Sequence, residues 1–342
     1  MLDLPAFRIM PRRRRRSHVL FGSILAIFLA ARYDAAWPQA AKDYPSKPIR
    51  LVVPSAPGGG TDIIARMIAQ GLYESWGQTV VVDNRGGAGG IPGVATVARG
   101  SAPDGYTMLL GSVGHLSFAP ALRSNLGYDP QKDLAPVTLV ANQPFVVTVI
   151  PSMPVASMKE FLALARARPG TITYGSGGSG TASHLGTALL EMTAGISLQH
   201  VPYKGTGPAM SAMMSNEIQL SLVGTSAVIP HVRTGRLKAL AVTTSKRSAA
   251  MPQLPTVAEA GVPGYSFDVW YGMMYPGGTP RTIVAKAHDA IVRLLASPEL
   301  AKRYAAGGIE PLSDTPEEFA ALIKRELPKW HEVVRKANIR VE

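Results

Sequence analysis

Two glycine-rich loops hold the residues best placed to do chemistry. One runs Pro54-Ser55-Ala56-Pro57-Gly58-Gly59-Gly60-Thr61-Asp62, the other Gly175-Ser176-Gly177-Gly178-Ser179-Gly180-Thr181-Ala182-Ser183-His184. Each lies between a short apolar run and a stretch with helical spacing. Bare main-chain N–H groups at a helix start, together with the helix dipole, favour an anion. Glycine at such a junction is also ordinary turn chemistry, so one loop alone would not make a site. Two of them, one in each half of a tandem pattern, would hold a small dicarboxylate, or a carboxylate with a second polar end. His184 is placed to donate to a carboxylate or to be satisfied by a backbone carbonyl. Asp62 caps its own helix or touches the ligand. Lys204 is a cation near the inferred cleft, with a solvated lysine as its default. Trp270 fits core or hinge packing better than a stacking platform.

Other chemistries are argued against by what the loops lack. Gly175, Gly177 and Gly180 match G-x-G-x-x-G, but the dinucleotide fingerprint needs an acidic residue about 20 positions on. The next strand-like run, Leu198–Tyr203, carries His200 and no carboxylate. There is no G-x-x-x-x-G-K-[ST] and no G-x-S-x-G, which removes the P-loop and the nucleophile elbow. The seven histidines form no H-E-x-x-H, and zero cysteines exclude thiol catalysis and Cys-ligated metal. No cofactor, metal or catalytic residue is therefore expected.

The elements that must position these loops read as two α/β units in tandem. Ile49–Pro54, Thr79–Asp83 and Tyr106–Leu110 are strand-like, separated by helical patterns. The order restarts with Phe145–Ile150 and continues through Thr171–Tyr174, Ile196–Val201, Ile218–Val223 and Leu237–Thr243. Strand–helix alternation argues for parallel sheets with crossover helices. Ser157…Glu160 and Thr315…Glu318 have capping-box spacing, and Pro298 suits a first helical position. A chain of 342 residues fits two lobes better than one core.

Charge and the N-terminus bear on location. The formal net charge is +12, but seven arginines and two aspartates lie in residues 1–41, so the remainder carries +7. The remaining basic residues are scattered, which argues against a nucleic-acid partner. Arg12–Arg16 precede a 13-residue apolar run, Val19–Ala31, and then the small residues around Ala35–Ala41. That is the order of a secretory signal, and the run is short of the ~20 residues that span a bilayer. Residues 1–41 are expected to be removed on export to the periplasm, after Ala40 or Ala41.

Joint motifs sharpen the reading. Tyr44-Pro45-Ser46-Lys47-Pro48-Ile49, Ala56-Pro57-Gly58-Gly59 with Thr61-Asp62, and Pro103-Asp104-Gly105-Tyr106-Thr107 are followed by Val201-Pro202-Tyr203-Lys204-Gly205 and Pro276-Gly277-Gly278-Thr279-Pro280. From Tyr44 onward the chain resembles the Bug family of substrate-binding proteins, the receptors of tripartite tricarboxylate transport systems. The resemblance implies a two-lobed type II periplasmic-binding-protein fold, each lobe a mostly parallel sheet flanked by helices, joined by a two-crossing hinge. Lobe 1 would take residues 43–142 plus 267–342, and lobe 2 residues 143–266. A small carboxylate would be captured between the lobes by a monomer and passed to a membrane permease or a sensor protein. Expected ligand-contacting residues are Ser55, Pro57, Gly58, Gly59, Asp62, Ser112, Gly178, Thr181, His184, Gly224 and Thr225. An aromatic residue is common in the family where Ser55 stands, and an aspartate where Gly224 stands. Both departures imply a weaker preference for amino acids and a larger or plainer carboxylate. An NAD-dependent or hydrolytic α/β enzyme is the competing class, and a regulatory effector domain the third.

Overall fold

The computed structural model describes residues 43–341, apart from Gly59 and Lys204. The expected export segment 1–41, Gly59 and Lys204 lie outside the described residues. The first elements are β1 (Ile49–Val53), α1 (Gly60–Trp76), β2 (Val80–Asn84), α2 (Ile91–Ala98), β3 (Thr107–Ser112) and β4 (Leu134–Gln143). Next come β5 (Phe145–Val149), α3 (Met158–Ala167), β6 (Thr173–Ser176), α4 (Ala182–Ala194) and β7 (Gln199–Pro202). Then follow α5 (Thr206–Met214), β8 (Leu220–Gly224), α6 (Thr225–Arg233) and β9 (Lys238–Val242). The chain closes with β10 (Val269–Pro276), α7 (Arg281–Leu295), α8 (Pro298–Ala306), β11 (Glu310–Pro311) and α9 (Pro316–Lys336).

These strands form two sheets, β11-β4-β10-β3-β1-β2 and β7-β6-β8-β5-β9. The parallel part of each sheet is the βαβ part: β1 with β2 and β3, and β6 with β7 and β8. The strands beside the crossings between sheets run antiparallel, β10 with β3 and β4, and β5 with β8 and β9. β4 and β5 are separated only by Pro144, which cannot donate to a ladder and so breaks the pairing there. Within β4, Pro136 sits at a register shift against Met274, a position where a ladder tolerates a missing N–H.

β1 is apolar and buried along nearly its whole length, as an interior strand between β3 and β2 with α1 and α2 packed against it. α9 buries Phe319, Ile323, Trp330 and Val333, one stripe of its surface. Trp330 packs edge-on to Phe118 (4.6 Å between centroids) and Phe267 (5.7 Å), and Phe267 packs edge-on to Phe145 (5.8 Å). This aromatic cluster joins the C-terminal helix to the segments where the chain changes sheets. Trp270 is buried edge-on to Phe319. On β10 only glycine fits at 272, because a Cβ there would lie 2.2 Å from the Phe319 ring.

Candidate functional site

Helix starts fall into two groups. α3, α8 and α9 begin with Ser157, Ser297 and Thr315, whose hydroxyls accept from the backbone N–H three residues on. α2, α4, α5 and α6 begin after Gly90, Thr181, Gly205 and Gly224, none with a side-chain cap. The capped group lies elsewhere, whereas Ile91, Thr181, Ala182, Thr206, Gly224 and Ser226 all line one cleft of about 1070 Å³. α7, which starts after Pro280 away from this cleft, also lacks a side-chain cap. Gly58, Gly60 and Thr61 bring the start of α1 to the same cleft. Backbone carbonyls take some of these first amides, Ala88 O that of Ile91 and Pro144 O that of Thr225, so what the cleft gathers from both sheets is chiefly the positive dipole ends of the helices. Its described lining residues include Arg123 and Arg340 and no aspartate or glutamate.

The first loop is held by Asp62. Its carboxylate accepts from Gly58 N–H (2.8 Å), Arg66 Nε (3.0 Å) and Asn84 Nδ2 (3.0 Å). Burial alone would raise its pKa. The Arg66 and Asn84 bonds, the Gly58 amide and the Arg66 charge outweigh that and lower it. Asp62 is 3% exposed and does not line the cleft; it supports the loop that does. Gly58 lines the cleft with φ 80°, a conformation that favours glycine.

The second loop is held largely by its own side chains. Gly177 N–H bonds Ser183 Oγ (3.0 Å), Gly178 N–H bonds Ser176 Oγ (3.1 Å) and Gly180 N–H bonds His184 Nδ1 (3.0 Å). These bonds take up three of the loop's amides, while Ser179, Thr181 and Ala182 line the cleft. His184 accepts through Nδ1, so its neutral ring carries hydrogen on Nε2. It stacks on His200 at 3.9 Å, and His200 reaches Ser176 Oγ at 2.7 Å. Burial, and secondarily the His200 charge, push the His184 pKa down to about 4. Both rings face a second cavity of about 680 Å³, with Tyr174, Glu191, Lys336 and Arg340.

Of the residues expected to contact ligand, Gly58, Ser112, Thr181 and Gly224 line the cleft. Asp62, Gly178 and His184 lie in the supports behind it. Thr225 is buried and donates to Gly308 O (2.5 Å), tying α6 to the turn before β11. Ser55 Oγ is buried without a partner among the described residues, and Pro57 is exposed outside the lining. Gly59 lies outside the described residues.

Sequence reasoning missed His115, Gln143, Tyr271, Ser226 and the two arginines. His115 Nδ1 bonds Ser112 N–H (3.2 Å) and Oγ (2.9 Å), and its other nitrogen reaches the Pro54 carbonyl. It thereby ties the end of β1 to the end of β3. Burial, opposed by the Pro54 bond, pushes its pKa down to about 4. Its one sequence signal was a histidine flanked by Gly111, Ser112 and Gly114. Among the described residues no group of three or more His, Asp or Glu forms a metal site.

Residues 64–339 match the family described as "Tripartite tricarboxylate transporter family receptor". The chain belongs to this family. BugT of Bordetella pertussis is 36% identical over 94% of this chain and 98% of its own. A solved periplasmic transporter is 42% identical, with TM-score 0.75 over 87% of this chain and 100% of that one. An R. palustris protein solved with adipate is 35% identical, with TM-score 0.76 over 87% of this chain and 99% of that one. The family consists of receptors, and these solved relatives share the fold.

Proposed function

We propose that this chain is a periplasmic receptor that captures a small carboxylate lacking an ammonium group and hands it to a membrane transporter. It acts as a monomer, without cofactor and without turnover. The observation that carries this is the convergence of uncapped helix starts on a cleft with two guanidiniums and no described carboxylate. Such a lining stabilises an anion, and none of its described residues neutralises an ammonium. The adipate held by the R. palustris relative supports a ligand of dicarboxylate size. Lobe 1, from residues 43–142 and 267–342, closes on lobe 2, from 143–266, by hinge motion. Gly58, Ser112, Thr181 and Gly224, with Gly59, contact the ligand, while Asp62 and His184 hold the loops.

A thermal-shift panel on the chain from Lys42 tests this, with dicarboxylates, tricarboxylates, aromatic carboxylates, amino acids and NAD. A ligand at 100 times its Kd adds about 2.7 kcal/mol. At roughly 2–4 °C per kcal/mol, the expected rise is roughly 5–10 °C for at least one dicarboxylate. A shift from NAD with none from carboxylates would sink the reading. The panel is repeated after unfolding and refolding, to remove any co-purified ligand.

The second loop gives a sharper variant. Gly180 has φ 78°, and a Cβ there would meet Leu122 Cδ1 at 2.7 Å and Val341 Cγ1 at 2.9 Å. Gly180→Val should weaken the panel's tightest carboxylate at least tenfold and cost about 1–3 kcal/mol of stability. Calorimetric titration showing unchanged affinity would remove this loop from the site.

A further inference from the structure

Gln143 stands where the two lobes meet. It is the last residue of β4, and Pro144 carries the chain on to β5. Its Oε1 accepts from the Tyr271 hydroxyl on β10 at 3.2 Å. Its Nε2 donates to Ser226 Oγ, in the first turn of α6, at 2.9 Å. A Cβ at Gly60 would lie 3.5 Å from Oε1, and one at Gly224 would lie 2.9 Å from Nε2. One amide therefore fits between the start of α1 in the first lobe and the start of α6 in the second. Gly60, Gln143, Gly224, Ser226 and Tyr271 all line the cleft.

The chemistry of this junction is neutral and two-sided. Burial pushes the Tyr271 pKa up to about 12, so its hydroxyl stays protonated. Both partners of the amide are hydroxyls, which donate or accept, so the carboxamide can offer either end. A ligand hydroxyl or carbonyl oxygen can pair with it. An ammonium has three donors and no acceptor, and it would enter a lining with two guanidiniums and no described carboxylate.

We propose that Gln143 is the specificity-determining residue of this cleft: its carboxamide, held by Tyr271 and Ser226, reads an uncharged oxygen substituent on the ligand, while the arginines of the lining disfavour an ammonium there. This rests on the carboxylate reading above and names the ligand class within it: hydroxy- or keto-dicarboxylates.

The test is calorimetric titration with three matched sets. The unsubstituted acids are succinate, glutarate and adipate, each compared with its 2-hydroxy and its 2-amino derivative. At the best chain length the wild type should bind the hydroxy acid at least tenfold tighter than the amino acid. Gln143→Glu should raise the amino-to-hydroxy affinity ratio at least tenfold. Gln143→Met, similar in length but without the amide, should bring the hydroxy and unsubstituted acids within threefold of each other. If Gln143→Glu gives no cooperative melt, Ser226→Ala replaces it, with an expected loss of at least threefold in the hydroxy preference. A wild type that binds the parent or amino acid as tightly as the hydroxy acid overturns the proposal. So do variants that weaken all three ligands by the same factor, the mark of a merely structural role; the carboxylate reading then stands. A wild type that binds none of the nine overturns both.

Discussion

Asp62→Ala should lower the melting temperature by roughly 4–12 °C and weaken carboxylate binding at least tenfold. The carboxylate takes bonds from Gly58 N–H, Arg66 and Asn84 while almost fully buried. Alanine leaves the Gly58 amide and the Asn84 amide without this partner. Hydrogen bonds to charged groups contribute about 1.5–3 kcal/mol each, and their losses are not additive. Arg66 is 57% exposed and can turn to water, so its share is small. A net loss of about 2–3 kcal/mol, at roughly 2–4 °C per kcal/mol, gives the range stated. Binding falls because Gly58 needs its left-handed φ of 80° to keep the loop open to the cleft. Asp62→Asn keeps an acceptor for Gly58 and loses the ion pair, so it should fall between. Melts at pH 7 and titration with the tightest carboxylate of the panel decide. Lost affinity with an unchanged melt would instead make Asp62 a direct ligand contact.

What the sequence made legible follows from what periodicity can encode. The apolar runs of β1, β5 and β8 stand out because buried strands need them, and Ser157 and Thr315 announce α3 and α9 through their capping spacing. β4 and β10 do not stand out. β4 is interrupted by Pro136 and ends in Asn142-Gln143, and β10 carries Gly272 under the Phe319 ring. Strand direction is equally silent, since an apolar run looks the same whether its neighbour is parallel or antiparallel.

The site divides along the same line. Glycine loops at helix starts mark where a cleft forms, and Gly58, Thr181 and Gly224 lie in it. Position in a loop does not reveal which way a side chain turns. Asp62 and His184 turn back on the amides of Gly58 and Gly180. Gln143, Tyr271 and Arg340 reach the cleft from distant parts of the chain, with no local pattern to mark them. The Gly224 position shows the cost of reading one residue alone. Its missing side chain is not open space, because a Cβ there would press on Gln143 Nε2, so Gly224→Asp requires Gln143 to move.

Lowering the pH from 7 to 4.5 should destabilise the protein through its histidines, and His184→Asn should flatten that slope. His115 and His184 are held near pKa 4 by burial, and burial lowers His200 as well, against 6.5 for free histidine. Between those values the unfolded chain binds protons that the folded chain refuses. The stability of the neutral rings is complete above pH 6.5 and is lost as the pH falls toward 4, by up to about 1.4 kcal/mol per pH unit for each. Glu191, Asp268 and Asp314 oppose this, since burial raises their pKa values and they take up protons in the fold first. The carboxylate of Asp62, whose pKa is lowered, weakens only below about 3.8. The difference between variants is therefore the cleaner quantity. Asparagine can accept from Gly180 N–H as Nδ1 does, so His184→Asn should fold at pH 7 and shed up to about 1.4 kcal/mol per pH unit of the slope. Tyr174, His200, Glu191, Lys336 and Arg340 share the His184 cavity, and the stacking at 3.9 Å means that one protonated ring discourages the second. The wild type should also lose carboxylate affinity as the pH approaches 4, as a protonated Nδ1 can no longer accept from Gly180. Urea unfolding at pH 7, 6, 5 and 4.5 measures the slopes. Equal slopes for the two proteins would mean that His184 does not titrate in this window, and a wild-type slope of opposite sign would mean that the buried carboxyls dominate it.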